Sequence, residues 1–61
     1  MKNINIYDEN NKNIIAKVIV ENDKYIEERF IYNDNDKLKE KNIYIFDSNG
    51  NLIHNIQKLY A

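Results

Sequence analysis

Residues 45–52 read Ile45-Phe46-Asp47-Ser48-Asn49-Gly50-Asn51-Leu52: an apolar pair, a polar run holding the chain's single glycine, and a return to an apolar residue. Asn-Gly between apolar segments is a strong short-range hairpin signal, because glycine reaches the left-handed backbone region without steric cost. A loop of Ser48-Asn49-Gly50 with Gly50 left-handed sets Phe46 opposite Leu52. Asp34-Asn35-Asp36 has the same length and sets Tyr32 opposite Leu38. A two-residue turn at Asn22-Asp23 pairs Val20 with Tyr25, Ile19 with Ile26, Lys17 with Glu28 and Ile15 with Phe30. A further polar run, 8–13, separates residues 3–7 from the next apolar block.

Asn, Asp and Gly mark turns because their side chains, or the lack of one, satisfy or free the local backbone. The blocks between these turns are of strand length and rich in Ile, Val, Tyr and Phe. Five strands are predicted, near residues 3–7, 14–21, 24–32, 38–46 and 52–58. Short connections make successive strands antiparallel neighbours. The expectation is one domain over residues 1–61, all-β or β-rich α+β, built as an antiparallel meander of four to five strands.

Two stretches leave an alternative open. Leu52, Ile53, Ile56, Leu59 and Tyr60 fit helical spacing better than strict alternation, and residues 23–30 could form a helix capped by Asp23. Following the pairings without interruption gathers Ile15, Ile19, Ile26, Phe30, Tyr32, Leu38, Tyr44, Phe46, Leu52 and Ile56 on one face, the expected core. The other face then carries Val18, Val20, Tyr25, Glu27, Arg29, Ile31, Lys39, Lys41, Ile43, Ile45 and Ile53. A one-residue slip exchanges the faces. An apolar sheet face needs a cover: closure into a barrel, a C-terminal helix, or a second molecule completing the sheet as a dimer.

Residues 6–14, 31–38 and 45–52 share a plan of aliphatic, aromatic, Asp or Asn, polar turn and aliphatic return. This resembles the YD repeats of RHS proteins and the MORN-like repeats of certain bacterial antitoxin-like proteins, whose units chain into extended antiparallel sheets. The resemblance covers most of residues 6–56 and implies a β-meander. Its units are unevenly spaced here, and only the last holds the glycine.

Composition narrows the chemistry. There is no cysteine, one histidine and one glycine among 61 residues, which excludes disulfides, thiol nucleophiles and glycine-rich phosphate loops. Ser48, His54 and Asp47 could form a nucleophilic triad only by converging, and Ser48 lies in a turn with no oxyanion hole implied. Glu27 and Glu28 are adjacent, so in a strand they point apart, which opposes a general acid–base dyad. Asp34-Asn35-Asp36 lacks the glycine and distal glutamate of a calcium loop. No catalytic residue, metal site or cofactor is expected.

Nine basic and ten acidic residues leave a net charge of −1, without the basic excess of a phosphate-backbone binder. A single-stranded nucleic-acid platform would use Tyr25, Phe30, Tyr32, Tyr44 and Phe46 with Lys39 and Lys41. The first residues turn polar at Tyr7-Asp8-Glu9-Asn10, unlike a signal peptide, and no apolar run is long enough for a membrane helix. The expectation is a cytoplasmic protein (the host cytoplasm if phage-encoded). The Asn, Ile and Lys bias suits an AT-rich bacterium or its phage.

The functional expectation is a non-catalytic protein-binding module that occludes a bacterial protein, such as a phage- or mobile-element-encoded inhibitor of the anti-CRISPR or anti-defence type. An immunity protein or antitoxin-like β-repeat module and a single-stranded nucleic-acid binder are the alternatives. The candidate binding residues are Tyr25, Glu27, Arg29, Lys39, Lys41 and Tyr60. Self-association through an edge strand or an apolar face is expected alongside.

Overall fold

The apolar blocks become five antiparallel strands in one sheet. The computed structural model describes residues 2–61. The strands are β1 (Lys2–Tyr7), β2 (Ile14–Glu21), β3 (Lys24–Tyr32), β4 (Leu38–Phe46) and β5 (Leu52–Leu59), ordered β1-β2-β3-β4-β5. No helix occurs among the described residues: Asp23 belongs to a turn, residues 24–30 lie within β3, and the C-terminal segment is strand through Leu59. The sheet measures 38 × 23 × 14 Å. Its radius of gyration, 12.7 Å, exceeds the about 10.5 Å of a compact chain this long. It exposes 4809 Å², against about 4,200 Å² for a typical folded chain of this mass.

Three turns repeat one geometry. Gly50 N–H donates to the Asp47 carbonyl and Asp47 N–H to the Asn51 carbonyl, while the Asp47 carboxylate accepts from the Asn49 and Asn51 amides. Asn33 does the same for Asn35, Asp36 and Lys37, and Asp8 closes the one-residue-longer first loop through Asn11, Lys12 and Asn13. The third residue after each Asp or Asn is left-handed: Asn11 (φ 56°), Asp36 (φ 63°) and Gly50 (φ 83°). The β2–β3 turn differs, with Asn22 left-handed (φ 52°) in a two-residue connection. Gly50 has open space where a Cβ would point, so Gly50→Val isolates backbone strain. It is expected to cost about 1–2 kcal/mol, read as a lowered urea midpoint with unchanged slope.

Of the predicted pairs, Phe46–Leu52, Tyr32–Leu38, Val20–Tyr25, Ile19–Ile26 and Lys17–Glu28 form. Ile15–Phe30 does not, the β2–β3 ladder ending at Ala16–Arg29 beside the Ile15 irregularity. Beyond the turns, a second irregularity intervenes that the uninterrupted pairing did not contain. Ile15, Lys39 and Ile53 are each an extra residue, after Ile14, Leu38 and Leu52 respectively. A bulge of this kind shifts the remaining ladder by one and reverses its faces. Ile26 therefore faces Ile45, not Tyr44, and Glu27 faces Tyr44.

Directly paired residues share a face, so the ladders define two surfaces. One, the valine face, has cross-strand rows Lys2–Val20–Tyr25–Phe46, Ile4–Val18–Glu27–Tyr44–Asn55 and Ile6–Ala16–Arg29–Asn42–Gln57, then Ile31–Glu40–Leu59. The other, the lysine face, has rows Asn3–Ile19–Ile26–Ile45–His54, Asn5–Lys17–Glu28–Ile43–Ile56 and Phe30–Lys41–Lys58. The expected core face is corrected accordingly. Tyr44, Phe46 and Leu52 leave it, Ile43 and Ile45 join it together with Lys39 and Lys41, and neither face is packed away. Among the described residues only Ala16 is buried, at 6% exposure. The sheet is not closed into a barrel, and no element of the described chain crosses either face.

Candidate functional site

The six predicted binding residues divide between the two faces. Tyr25, Glu27 and Arg29 follow one another along β3 on the valine face, and the bulge carries Lys39 and Lys41 to the lysine face. Tyr60 continues the alternation of Ile56 and Lys58 on that same face, and its N–H donates to the Lys39 carbonyl at 2.9 Å. The expectation that Tyr25, Glu27, Arg29, Lys39 and Lys41 share one face is thus corrected: the two lysines lie on the opposite face, with Tyr60.

On the valine face, the Glu27 carboxylate joins its neighbours. It accepts from the Tyr25 hydroxyl at 3.3 Å and pairs with the Arg29 guanidinium. The Tyr25 ring meets Phe46 edge-on with centroids 5.4 Å apart, a favoured aromatic geometry. Val20, Tyr25 and the Asn22-Asp23 and Asp47-Ser48 turns border a shallow cleft at this end. Toward β5, Glu40 accepts from the Asn42 and Gln57 side-chain amides, which hold its carboxyl below the ordinary 4.5. Toward β1 the surface is aliphatic: Ile6, Val18 and Ile4 adjoin the small Ala16, and Val20 lies one same-face position further along β2.

On the lysine face, five isoleucines (Ile19, Ile26, Ile43, Ile45 and Ile56) occupy two adjacent rows at the sheet's centre. Lys41 Nζ lies 5.5 Å from the Phe30 ring centroid and 3.1 Å from Glu28, both carboxylate and ammonium being half-buried. Strand alternation puts Lys17, Lys24, Lys39, Lys41 and Lys58 here against Glu21 and Glu28. The valine face is balanced, with Lys2 and Arg29 against Glu27 and Glu40. The acidic excess sits in the turns, at Asp8, Glu9, Asp23, Asp34, Asp36 and Asp47. This sorting of charge by face is invisible until the bulges are placed.

The residues weighed for chemistry are already engaged or apart. Asp47 is held below its ordinary 3.8 by the Asn51 and Asn49 backbone N–H groups, and His54 is exposed on β5 opposite Ile45. Asp36 is lowered by its hydrogen bond and ion pair with Lys12 (2.6 Å), helped by Asn13, a clasp that ties the first and third turns together. Lys12 is raised by the same contact. No cluster of three metal-ligating side chains occurs among the described residues, and none of their helices is long and apolar enough to cross a membrane. Comparison with protein families, characterised proteins and solved structures returns no match to this chain.

These carboxylates fix the acid response. Asp36, Asp47 and Glu40 are all lowered in the folded chain, so their contribution is present above the ordinary carboxylate range and lost as pH falls through the folded values. Lys12 is raised, so its contribution persists until pH climbs past the ordinary lysine range. The melting temperature is expected to stay level from about pH 5 to 9 and to fall below about pH 4. A scanning-calorimetry series at constant ionic strength measures it; a midpoint that rises on acidification contradicts the assignment.

Proposed function

We propose that the chain is a non-catalytic protein-binding module whose lysine face docks a protein partner. The observation that carries this is the plan of that face: isoleucines at the centre, cations around them, and nothing of the described chain laid over it. An apolar centre within a polar rim is the anatomy of a protein interface. The surplus of lysine selects a partner whose own apolar patch is bordered by Asp and Glu. Binding of this kind acts by occlusion. An inhibitor carried by a phage or mobile element against a bacterial defence protein is one use of it. An immunity or antitoxin-like β-repeat module in the cytoplasm is the other, in keeping with the repeated turn plan.

The test is quantitative capture from the cells that encode the protein. A tagged chain is expected to retain one stoichiometric partner with an acidic surface. Ile56→Asp, on the exposed edge of the same isoleucine row, is expected to release it, with the β circular dichroism spectrum retained, and Tyr25→Ser to leave it bound. Retention of the partner by Ile56→Asp refutes the assignment to this face.

A second reading is favoured by one observation. Phe30 and Tyr32 share the lysine face with Lys39 and Lys41, with Tyr7 and Tyr60 nearby in the alternation, as a single-stranded nucleic-acid platform requires. Against it, Lys41 caps the Phe30 ring, the Tyr32 hydroxyl is spent on the Ile14 carbonyl at 2.7 Å, and acidic turns flank that end. Binding of a labelled oligonucleotide at low salt, weakening steeply as salt is raised, would establish it; no binding at low salt removes it.

A further inference from the structure

We infer that the valine face is covered by the valine face of a second copy of this chain. The inference is independent of the proposal for the lysine face, since it concerns the opposite surface. Area is the first argument. Five strands about 4.8 Å apart and about eight residues long present a face near 630 Å², so two copies face to face remove about 1,250 Å² from water. That reaches the lower bound of a stable interface, about 1,200–2,000 Å². Apolar side chains already stand open on it, Ile4 at 48%, Ile6 at 44% and Val20 at 40% exposure.

Charge is the second argument, and it separates the two faces. Stacking two lysine faces would set a cationic surplus against itself. The valine face is neutral in sum, and its Glu27 and Arg29 neutralise each other within one copy.

Shape supplies the third. Ala16 lies in a depression bordered by Ile6, Arg29, Ile31 and Asn42, with Ile15 and Phe30 completing its lining. Let the two-fold axis run across the strands along the row Ile4–Val18–Glu27–Tyr44–Asn55. Each strand then overlies its own copy in reverse, and Val20 of one copy falls over Ala16 of the other. Large meets small twice, once in each direction, as an isologous contact demands. Tyr25 falls over the second copy's Arg29, the donor geometry of a cation–π contact. Glu27 falls near its own image, which is tolerable only because Arg29 accompanies each carboxylate.

The experiment is sedimentation equilibrium of the full chain from about 1 to 200 μM, with folding checked by circular dichroism. Wild type is expected to be a dimer within that range. Ile4→Lys, on the exposed edge strand, is expected to raise the dissociation constant at least about a hundredfold, because it sets two lysines together on the axis. Ile43→Lys, on the other face, is expected to leave the dimer intact. Arg29→Met should dissociate the dimer at pH 7, and Arg29→Met with Glu27→Gln should restore it, a rescue that a merely structural role for Arg29 would not produce. A wild-type monomer at 200 μM overturns the inference. So does a dimer dissociated by Ile43→Lys and unaffected by Ile4→Lys.

Discussion

Deleting Glu28 is expected to abolish folding, whereas deleting Lys39 is expected to preserve it. Glu28 lies in the middle of β3, paired with Lys17 on one side and Ile43 on the other. Without it, residues 24–27 keep their partners but 29–32 each move to the opposite face. Arg29 is driven toward the isoleucine rows, Phe30 leaves Lys41, and the Tyr32 hydroxyl loses the Ile14 carbonyl. No adjustment of one neighbouring strand can restore both ladders at once. Chains of this size are held by about 3–9 kcal/mol in total, and losing half of the central ladder exceeds that. Lys39 is different, because it is the extra residue of a bulge. Its removal lets Leu38 and Glu40 succeed one another in register with Tyr32 and Ile31, and no face changes. Urea titration by circular dichroism distinguishes the two: a cooperative transition for the Lys39 deletion, none for the Glu28 deletion. Equal behaviour of the two would refute the assignment of the bulge.

The second large effect is expected from Ile26→Asp. Ile26 is flanked by Ile19 and Ile45 in the row that crosses the sheet on the lysine face. Replacing it removes two cross-strand aliphatic contacts and places a carboxylate beside half-buried aliphatic surface, next but one to Glu28. Half-burial leaves the new charge partly hydrated, so the cost is about 2–3 kcal/mol and not the far larger penalty of full burial. For a domain this small that lowers the melting temperature by roughly 10–20 °C. Ile56→Asp, on edge strand β5 and 44% exposed, is the control and is expected to lose well under half as much. The ordering of the two, measured by thermal melts, is the informative quantity; the reverse order would mean that the sheet's mechanical centre is not at β3.

The strands and turns were legible because each is written in residues with a local mechanism. Asp47, Asn33 and Asp8 bind the amides of their own loops, and Asn11, Asp36 and Gly50 take the left-handed position that such loops need. What could not be read was the parity of each strand. The bulge residues are two isoleucines, Ile15 and Ile53, and a lysine, Lys39, types that fill ordinary strand positions throughout this chain, so nothing in their identity announces them. The same event explains the helix-like spacing of the tail. Leu52 and Ile53 together oppose Phe46, after which Ile56 belongs to one face and Leu59 to the other. A strand with one bulge and apolar residues on both sides imitates a period near 3.6. The candidate site was legible in part for the same reason: Tyr25, Glu27 and Arg29 sit within one uninterrupted strand, whereas Lys39 and Lys41 lie beyond a bulge.

Because each strand of the described chain touches only the strands before and after it, the search for the native state needs no distant encounter. Each hairpin closes a short loop, an event of about 1–10 μs, and the next can add to an edge already made. Chains with such local wiring reach their final state faster than β-sandwiches of similar stability. Refolding after rapid dilution is therefore expected within milliseconds, with the Asn22-Asp23 hairpin at the middle of the sheet as the natural starting point.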